Sequence, residues 1–267
     1  MPRVFLSSII LEPGLRGEEF DLDFDTAKKL TRVLRLTPGE TFVAFDGLGR
    51  EWECALVATE SGSAGGKSKG ARAVILAERE VAPTGPLHLA VAQAVPKGDK
   101  MDFILQKGTE LGVVEFWPFD AERSVSRLLV EEDPERATTR AERWRKIAAQ
   151  AAAQSGRADV PIVHAICDFA TVVGEGTNGS RCFMLDELPE TEALRMALQR
   201  EPLVFNEGEQ TRIMLLIGPE GGWTQREREW AERYGVEAVG LGRRILRTET
   251  AAMVASAILQ WEAGEIG

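Results

Sequence analysis

An α/β protein with a parallel sheet, preceded by a smaller all-β domain, is what the sequence predicts, and three observations carry it. From Leu87 onward, apolar strand-like runs alternate with helical patterns, as in successive βα units. Ile213 to Ile217 is an unbroken apolar run that stops at a Gly-Pro pair, which suits a strand buried on both faces of a parallel sheet. Residues 1–80 read instead as short strands separated by turns. With 267 residues, 44% of them apolar, the chain can bury a sizeable core as one large domain or two ordinary ones.

In the first part, strands are predicted at residues 4–10, 41–45, 52–59 and 71–77, with turns at Pro38-Gly39 and Asp46-Gly47; this favours a small β-barrel. One helix interrupts them. Asp25 is placed to cap residues 26–36, where Leu30, Val33 and Leu34 make an apolar stripe and Lys28, Arg32 and Arg35 share another face. No acid within the helix neutralises that basic face, which is either a solvated surface or a contact for nucleic-acid phosphate. Residues 61–70, SGSAGGKSKG, read as a flexible loop, and residues 81–86, VAPTGP, as the junction between domains at 1–80 and 87–267.

In the second part, a strand at 87–95 leads through Pro96-Lys97-Gly98 into a helix capped by Asp99, with Met101, Ile104, Leu105 and Leu111 toward the core. A strand at 113–119, the turn Glu122-Arg123-Ser124, a densely charged helix over 131–145 and a strand at 181–185 ending at Asp186-Glu187 follow, and residues 206–210 read as a surface turn. After Ile217, Gly218, Gly221 and Gly222 surround Pro219 and Glu220, so the backbone can take positive φ and come close to a ligand. Thr224 and Glu227 have the spacing of a capping box, and Gly235 suits the end of that helix. A strand at 237–241 breaks at Gly242, and ILRTET (245–250) leads into an Ala-rich helix over 249–262. Ligands in open α/β sheets sit outside the carboxyl ends of the strands, where these glycine loops fall. The loop has neither the Gly-x-Gly-x-x-Gly spacing nor the Gly-Lys-Ser/Thr ending of phosphate sites, and Glu220 would repel phosphate. It fits a neutral or cationic ligand carrying an adenosine-like ring, unless the glycines serve only the turn.

LLIGPEGGWT, followed by LGRRILRTETA, resembles the RsmE family of 16S ribosomal RNA uridine-N3 methyltransferases, members of the SPOUT superfamily. KGDKMDFILQKGTELGV, the Glu122-Arg123-Ser124 element and RWRKIAAQAAAQSGRADVP are similar to the same family, and RVLRL followed by FDG resembles its PUA-like N-terminal domain. One departure stands out: the family usually has Glu-Gln where this chain has Ala153-Gln154. The resemblance implies a SPOUT-type parallel-sheet C-terminal domain with a trefoil knot, behind a small PUA-like β-barrel. It implies S-adenosylmethionine in a bent shape, held by Leu185, Ile217, Gly218, Pro219, Glu220, Gly221, Gly222, Leu241, Gly242, Ile245 and Leu246. Arg3, Arg32, Arg35, Lys97, Lys107, Arg123 and Arg157 become candidates for holding 16S rRNA within the 30S subunit, with Glu110 beside Lys107. The terminal helix, with Ala251, Ala252, Ala255 and Ala257 beside Val254, Ile258, Leu259 and Trp261, reads as a buried core helix or a dimer interface, and the resemblance implies a homodimer.

Methylating a uridine N3 requires loss of an imide proton. Arg247 is the candidate for stabilising negative charge on a uridine carbonyl oxygen, and Glu249 for orienting Arg247 or accepting the proton. Capping of the last helix by Thr248 and Glu249 is the structural alternative. His88 and His164, the two histidines, sit in apolar runs and read as core or edge residues rather than catalysts. Cys54, Cys167 and Cys182 suit neither a disulfide framework nor a metal site, so no metal is expected and the thiols should be reduced in a cytoplasmic protein. No apolar run is long enough for a membrane span. The net charge of −10 is unusual for a nucleic-acid protein, so RNA contact must be a local patch. Two further readings stay open: a SPOUT enzyme with another RNA target, and a non-catalytic RNA-binding or ribosome-assembly factor.

Overall fold

The computed structural model describes residues 1–6, 16–59, 71–82, 85–124 and 133–267. Predicted strand residues 7–10, the loop at 61–70, Pro83 and Thr84 of the junction, and residues 131–132 lie outside the described residues. The chain divides into two units, Met1–Thr84 with Ala152–Val160, and Gly85–Ala151 with Pro161–Gly267.

The first unit contains strands β1 (Arg3–Phe5) and β2 (Glu19–Leu22), helix α1 (Phe24–Lys28), and strands β3 (Thr41–Phe45), β4 (Glu51–Thr59) and β5 (Ala71–Arg79). They form one sheet in the order β1-β3-β4-β5-β2, antiparallel except for the β1–β3 pair. Alternate residues of all five strands, among them Val4, Leu22, Phe42, Trp52 and Ile75, meet Leu30 in a single core. β2 has no clear sequence signal, because EFDL is a short edge strand that buries only its leucine fully.

The helix differs from its prediction. Asp23, not Asp25, is the cap, and its carboxylate accepts the Thr26 amide at 2.9 Å. From Lys29 to Val33 the helix widens into a π-helical turn, so a 3.6-residue stripe cannot persist. Leu30 is buried, whereas Val33 is 70% exposed and Leu34 is 38% exposed. Arg35 has left the helix in a left-handed conformation with φ of 58°, so it does not share a helical face with Lys28 and Arg32.

The second unit is built on strands β6 (Leu87–Ala94) and β7 (Glu115–Asp120), with α2 (Lys100–Glu110) between them. α3 (Pro134–Ser155), the short strands β8 (Ile162–Val163) and β9 (Cys167–Asp168), and α4 (Phe169–Thr171), which runs into a π-helical turn at Val172–Gly176, come next. β10 (Arg181–Leu185), α5 (Leu194–Arg200), β11 (Thr211–Ile217), α6 (Gln225–Arg233), β12 (Glu237–Val239) and α7 (Thr248–Glu262) complete it. The seven-stranded sheet is parallel throughout, in the order β12-β10-β11-β6-β7-β8, with β9 also on β7. β11 is therefore inserted between β6 and β10, and it is buried on both faces as the apolar run predicts. Ile213, Leu215 and Ile217 pack with α2, α5 and α7, while Met214 and Leu216 pack with Trp223 and Ala231 on the other face. Leu111 lies at the end of α2, half-buried, rather than in the core with Met101, Ile104 and Leu105.

Candidate cofactor cleft and its surroundings

β11 ends at Ile217, and the chain then needs a residue without a side chain. A Cβ on Gly218 would stand 2.9 Å from the buried indole of Trp223. Gly222 takes φ of 69° and turns the chain into α6. There the predicted capping box is formed: Thr224 Oγ1 accepts the Glu227 amide at 3.2 Å and Glu227 Oε2 accepts the Thr224 amide at 2.8 Å. Gly235, with φ of 76°, follows the helix end as predicted.

Side chains stitch this loop to the neighbouring strand ends. Trp223 Nε1 donates to the Leu185 carbonyl at 2.8 Å, joining the ends of β10 and β11. Arg228 of α6 grips Asp186 with two bonds, 2.6 and 3.0 Å. Thr248 does not cap α7; its hydroxyl donates to the Gly218 carbonyl at 2.8 Å and accepts from Gln93 Nε2 at 2.9 Å. The helix cap is Arg247, which uses no side-chain bond. β10 lies between β11 and β12, so the loops after all three strands close around the space beyond the sheet.

That space is a cleft of about 450 Å³, within the usual range for small-molecule sites. Ten of the eleven residues read from the sequence as cofactor ligands line it: Leu185, Ile217, Gly218, Pro219, Glu220, Gly222, Leu241, Gly242, Ile245 and Leu246. Gly221 lies behind the loop, where its carbonyl accepts from Arg123 at 3.2 Å and a Cβ would press on the Arg123 backbone and side chain. Arg247 lines the cleft, is exposed, and makes no ion pair among the described residues. Glu249 does not orient it. The Glu249 carboxylate instead faces Lys100 Nζ at 3.6 Å, because Lys100 comes in from the start of α2 and also bonds Glu220 Oε1 at 2.9 Å. Burial opposes the charge on Glu220, but bonds from Lys100 and nearby amides outweigh it and hold its carboxyl below the usual value. The bond to Glu220 in turn raises Lys100. Sequence reasoning missed Lys100, Trp223 and Arg228 here, since their partners lie up to 149 residues away and no local pattern marks them.

The other candidates are placed less centrally. The Lys97 amide bonds Glu220 at 3.3 Å, while Lys107 spends its ammonium on Glu110 at 2.8 Å, one helical turn away. In the first unit Arg3 bonds Glu51 and, at 3.0 Å, the Arg157 carbonyl, and Arg157 pairs with Asp159. Arg32 and Arg35 are exposed. Ala153 is buried with Phe45 and Ala152, in a pocket too apolar for a carboxylate. His88 and His164 both bond Glu115, so they are edge residues in an ion-pair cluster. Burial pushes the thiols of Cys54, Cys167 and Cys182 up to about 12.

The groups of the cleft suit S-adenosylmethionine: apolar Leu185, Ile217 and Leu246 for a purine, open backbone at Gly242, and the carboxylates of Glu187 and Glu220 for positive charge. The family described as RNA methyltransferase domain matches residues 83–260, and that described as RNA methyltransferase PUA domain matches residues 30–64. A ribosomal RNA small subunit methyltransferase E from Bacillus subtilis is 32% identical over 243 residues, covering 91% of this chain and 90% of its own. One from Synechocystis is 34% identical over 233 residues, covering 85% and 68%. The crystal structure of a ribosomal RNA small subunit methyltransferase E from Neisseria gonorrhoeae bound to S-adenosylmethionine superposes with a TM-score of 0.80 at 32% identity, covering 98% of this chain and 97% of that one.

Proposed function

This chain belongs to the ribosomal RNA small subunit methyltransferase E family, and from that premise we propose that it uses S-adenosylmethionine to methylate N3 of one uridine of 16S rRNA in the 30S subunit. The observation that carries this reading is the three-loop cleft, with Trp223 and Thr248 fastening its walls and Arg247 at its open side. When bound, the cofactor supplies an electrophilic methyl group on a sulfonium. Leu185, Ile217, Leu241, Ile245 and Leu246 exclude water from its apolar part, and the loop from Gly218 to Gly222 lets backbone come into contact with it. Arg247, without a carboxylate partner among the described residues, stabilises the negative charge that develops on a uridine carbonyl oxygen. Glu249 accepts the imide proton. Holding the two reactants in line supplies roughly 7 to 11 kcal/mol of the acceleration.

The first unit is read as the PUA-like domain that holds RNA through Arg32 and Arg35, with the second unit as the methyltransferase domain. Insertion of β11 between β6 and β10 supports a trefoil knot in its C-terminal part. The 62% exposure of Trp261 on α7 supports a homodimer through that helix. No described helix is long and apolar enough to cross a membrane, and an rRNA substrate supports a cytoplasmic place of work.

The test is methyl transfer from labelled S-adenosylmethionine to small subunits lacking the modification, with free rRNA in parallel and mass mapping of the product. Label at a uridine N3 is the expected result, and Arg247→Ala should cut the rate about 100-fold with cofactor affinity retained. Label elsewhere would favour another SPOUT target, and no transfer despite cofactor binding would favour a non-catalytic factor.

A further inference from the structure

A cation at the first turn of a helix is disfavoured by the helix dipole, yet Lys100 is the first residue of α2 and lines the cleft. A broken local rule of this kind asks for a compensating purpose. Two carboxylates supply the compensation, from separate elements. Glu220 belongs to the glycine loop after β11, and its Oε1 takes both Lys100 Nζ at 2.9 Å and the Lys97 amide at 3.3 Å. Glu249 belongs to the first turn of α7, and its Oε2 lies 3.6 Å from the same Nζ. That Oε2 is buried and has no hydrogen-bond partner among the described residues, so the Lys100 charge is what offsets its loss of water.

We propose that Lys100 is a positioning residue for methyl transfer: from the cleft lining it reaches back to the Glu249 carboxylate, which stands behind that lining, and ties it to the cofactor loop through Glu220. The inference rests on the reading of Glu249 as proton acceptor. Lys100 itself transfers no proton. Its shared pairing makes the place of Glu249 depend on the loop being folded in its binding form, so the acceptor and the cofactor loop are set together.

The experiment measures cofactor affinity by calorimetry, and kcat at saturating S-adenosylmethionine between about pH 5 and 9, for wild type, Lys100→Met, Lys100→Arg and Glu249→Gln. Lys100→Met should lower kcat about 100-fold and move the acidic limb of its pH profile upward, since an unpaired buried carboxylate holds its proton more tightly. Lys100→Arg should restore most of the rate. Wild-type kcat and an unmoved limb in Lys100→Met would overturn the proposal, even if cofactor bound less tightly, because Lys100 would then only brace the loop. Glu249→Gln separates the two ideas: if inactive while Lys100→Met is normal, only the Lys100 role falls, whereas wild-type activity in Glu249→Gln removes the acceptor itself. Lys100→Gln serves the same comparison should Lys100→Met fail to bind cofactor.

Discussion

The parallel sheet of the second unit carries a charged cluster at each end, and the two are built on opposite plans. At the amino edge, Glu115 of β7 is closed in by His164 at 2.7 Å, His88 at 3.1 Å, Trp117 Nε1 at 3.0 Å and Arg212 at 4.0 Å, and the Trp117 and His164 rings stack 3.7 Å apart. At the carboxyl edge, Lys100, Glu220 and Glu249 pair across separate elements around a cleft, while Arg243, Arg244 and Arg247 at its rim make no ion pair among the described residues. The first cluster spends its bonds on itself; the second leaves charge for something else. Density of ion pairs does not mark a site. What distinguishes the carboxyl edge is glycine backbone, an open cleft and unspent cations.

The largest expected effect follows from removing what keeps the cleft open. Trp223 is 1% exposed, packs against Phe119 and Phe169, fills the place of a Gly218 side chain, and bonds Leu185. Trp223→Ala should cost about 3 to 5 kcal/mol of stability in chemical denaturation and abolish measurable cofactor binding. Trp223→Phe keeps most of the ring but loses the bond to Leu185, and should cost about 0.5 to 1.5 kcal/mol. A Trp223→Phe protein that bound cofactor no better than Trp223→Ala would mean that the bond, not the ring, shapes the cleft.

A smaller change tests the glycine directly. Gly218→Ala forces a methyl to 2.9 Å from the indole, an overpacking expected to cost about 1 to 3 kcal/mol, with cofactor affinity falling further than stability because the loop must move. Wild-type affinity would show that the loop glycines serve the turn alone, and the contrast between the two edges would lose its main support.

The contrast also accounts for what could be read from the sequence. The loop at 218–222, the capping box at Thr224 and the glycine at 235 were legible because each is a local rule acting over a few residues. The apolar run of β11 was legible because both its faces are buried. Lys100 was not, since its partners come from 120 and 149 residues away in the chain and its own position offends helix preference. Nor was the π-helical turn at 29–33, where an extra residue per turn defeats the period that reveals ordinary helices. The pairing of both histidines with one glutamate was equally hidden, because it depends on strand order: β6 and β8 flank β7.

The smallest expected effect lies at the closed edge and is a matter of pH. Hydrogen bonds from His164 and then His88 hold the Glu115 carboxyl well below the usual carboxylate range, in spite of its burial. A carboxylate depressed on folding adds stability that is fully present above its unfolded value, near 4.5, and is lost as pH falls through the lower folded value. Glu115→Gln keeps the shape and loses the charge. It should therefore be less stable than wild type by about 1 kcal/mol near neutral pH, with the gap closing as the pH drops below 4.5, read from denaturant midpoints across that range. Methyl transfer at neutral pH should be unchanged, since the cluster lies at the end of the sheet away from the cleft. No gap at neutral pH would mean that Glu115 acts through shape and not charge. A fall in methyl transfer without a fall in stability would break the comparison itself, by making the closed edge part of the working end.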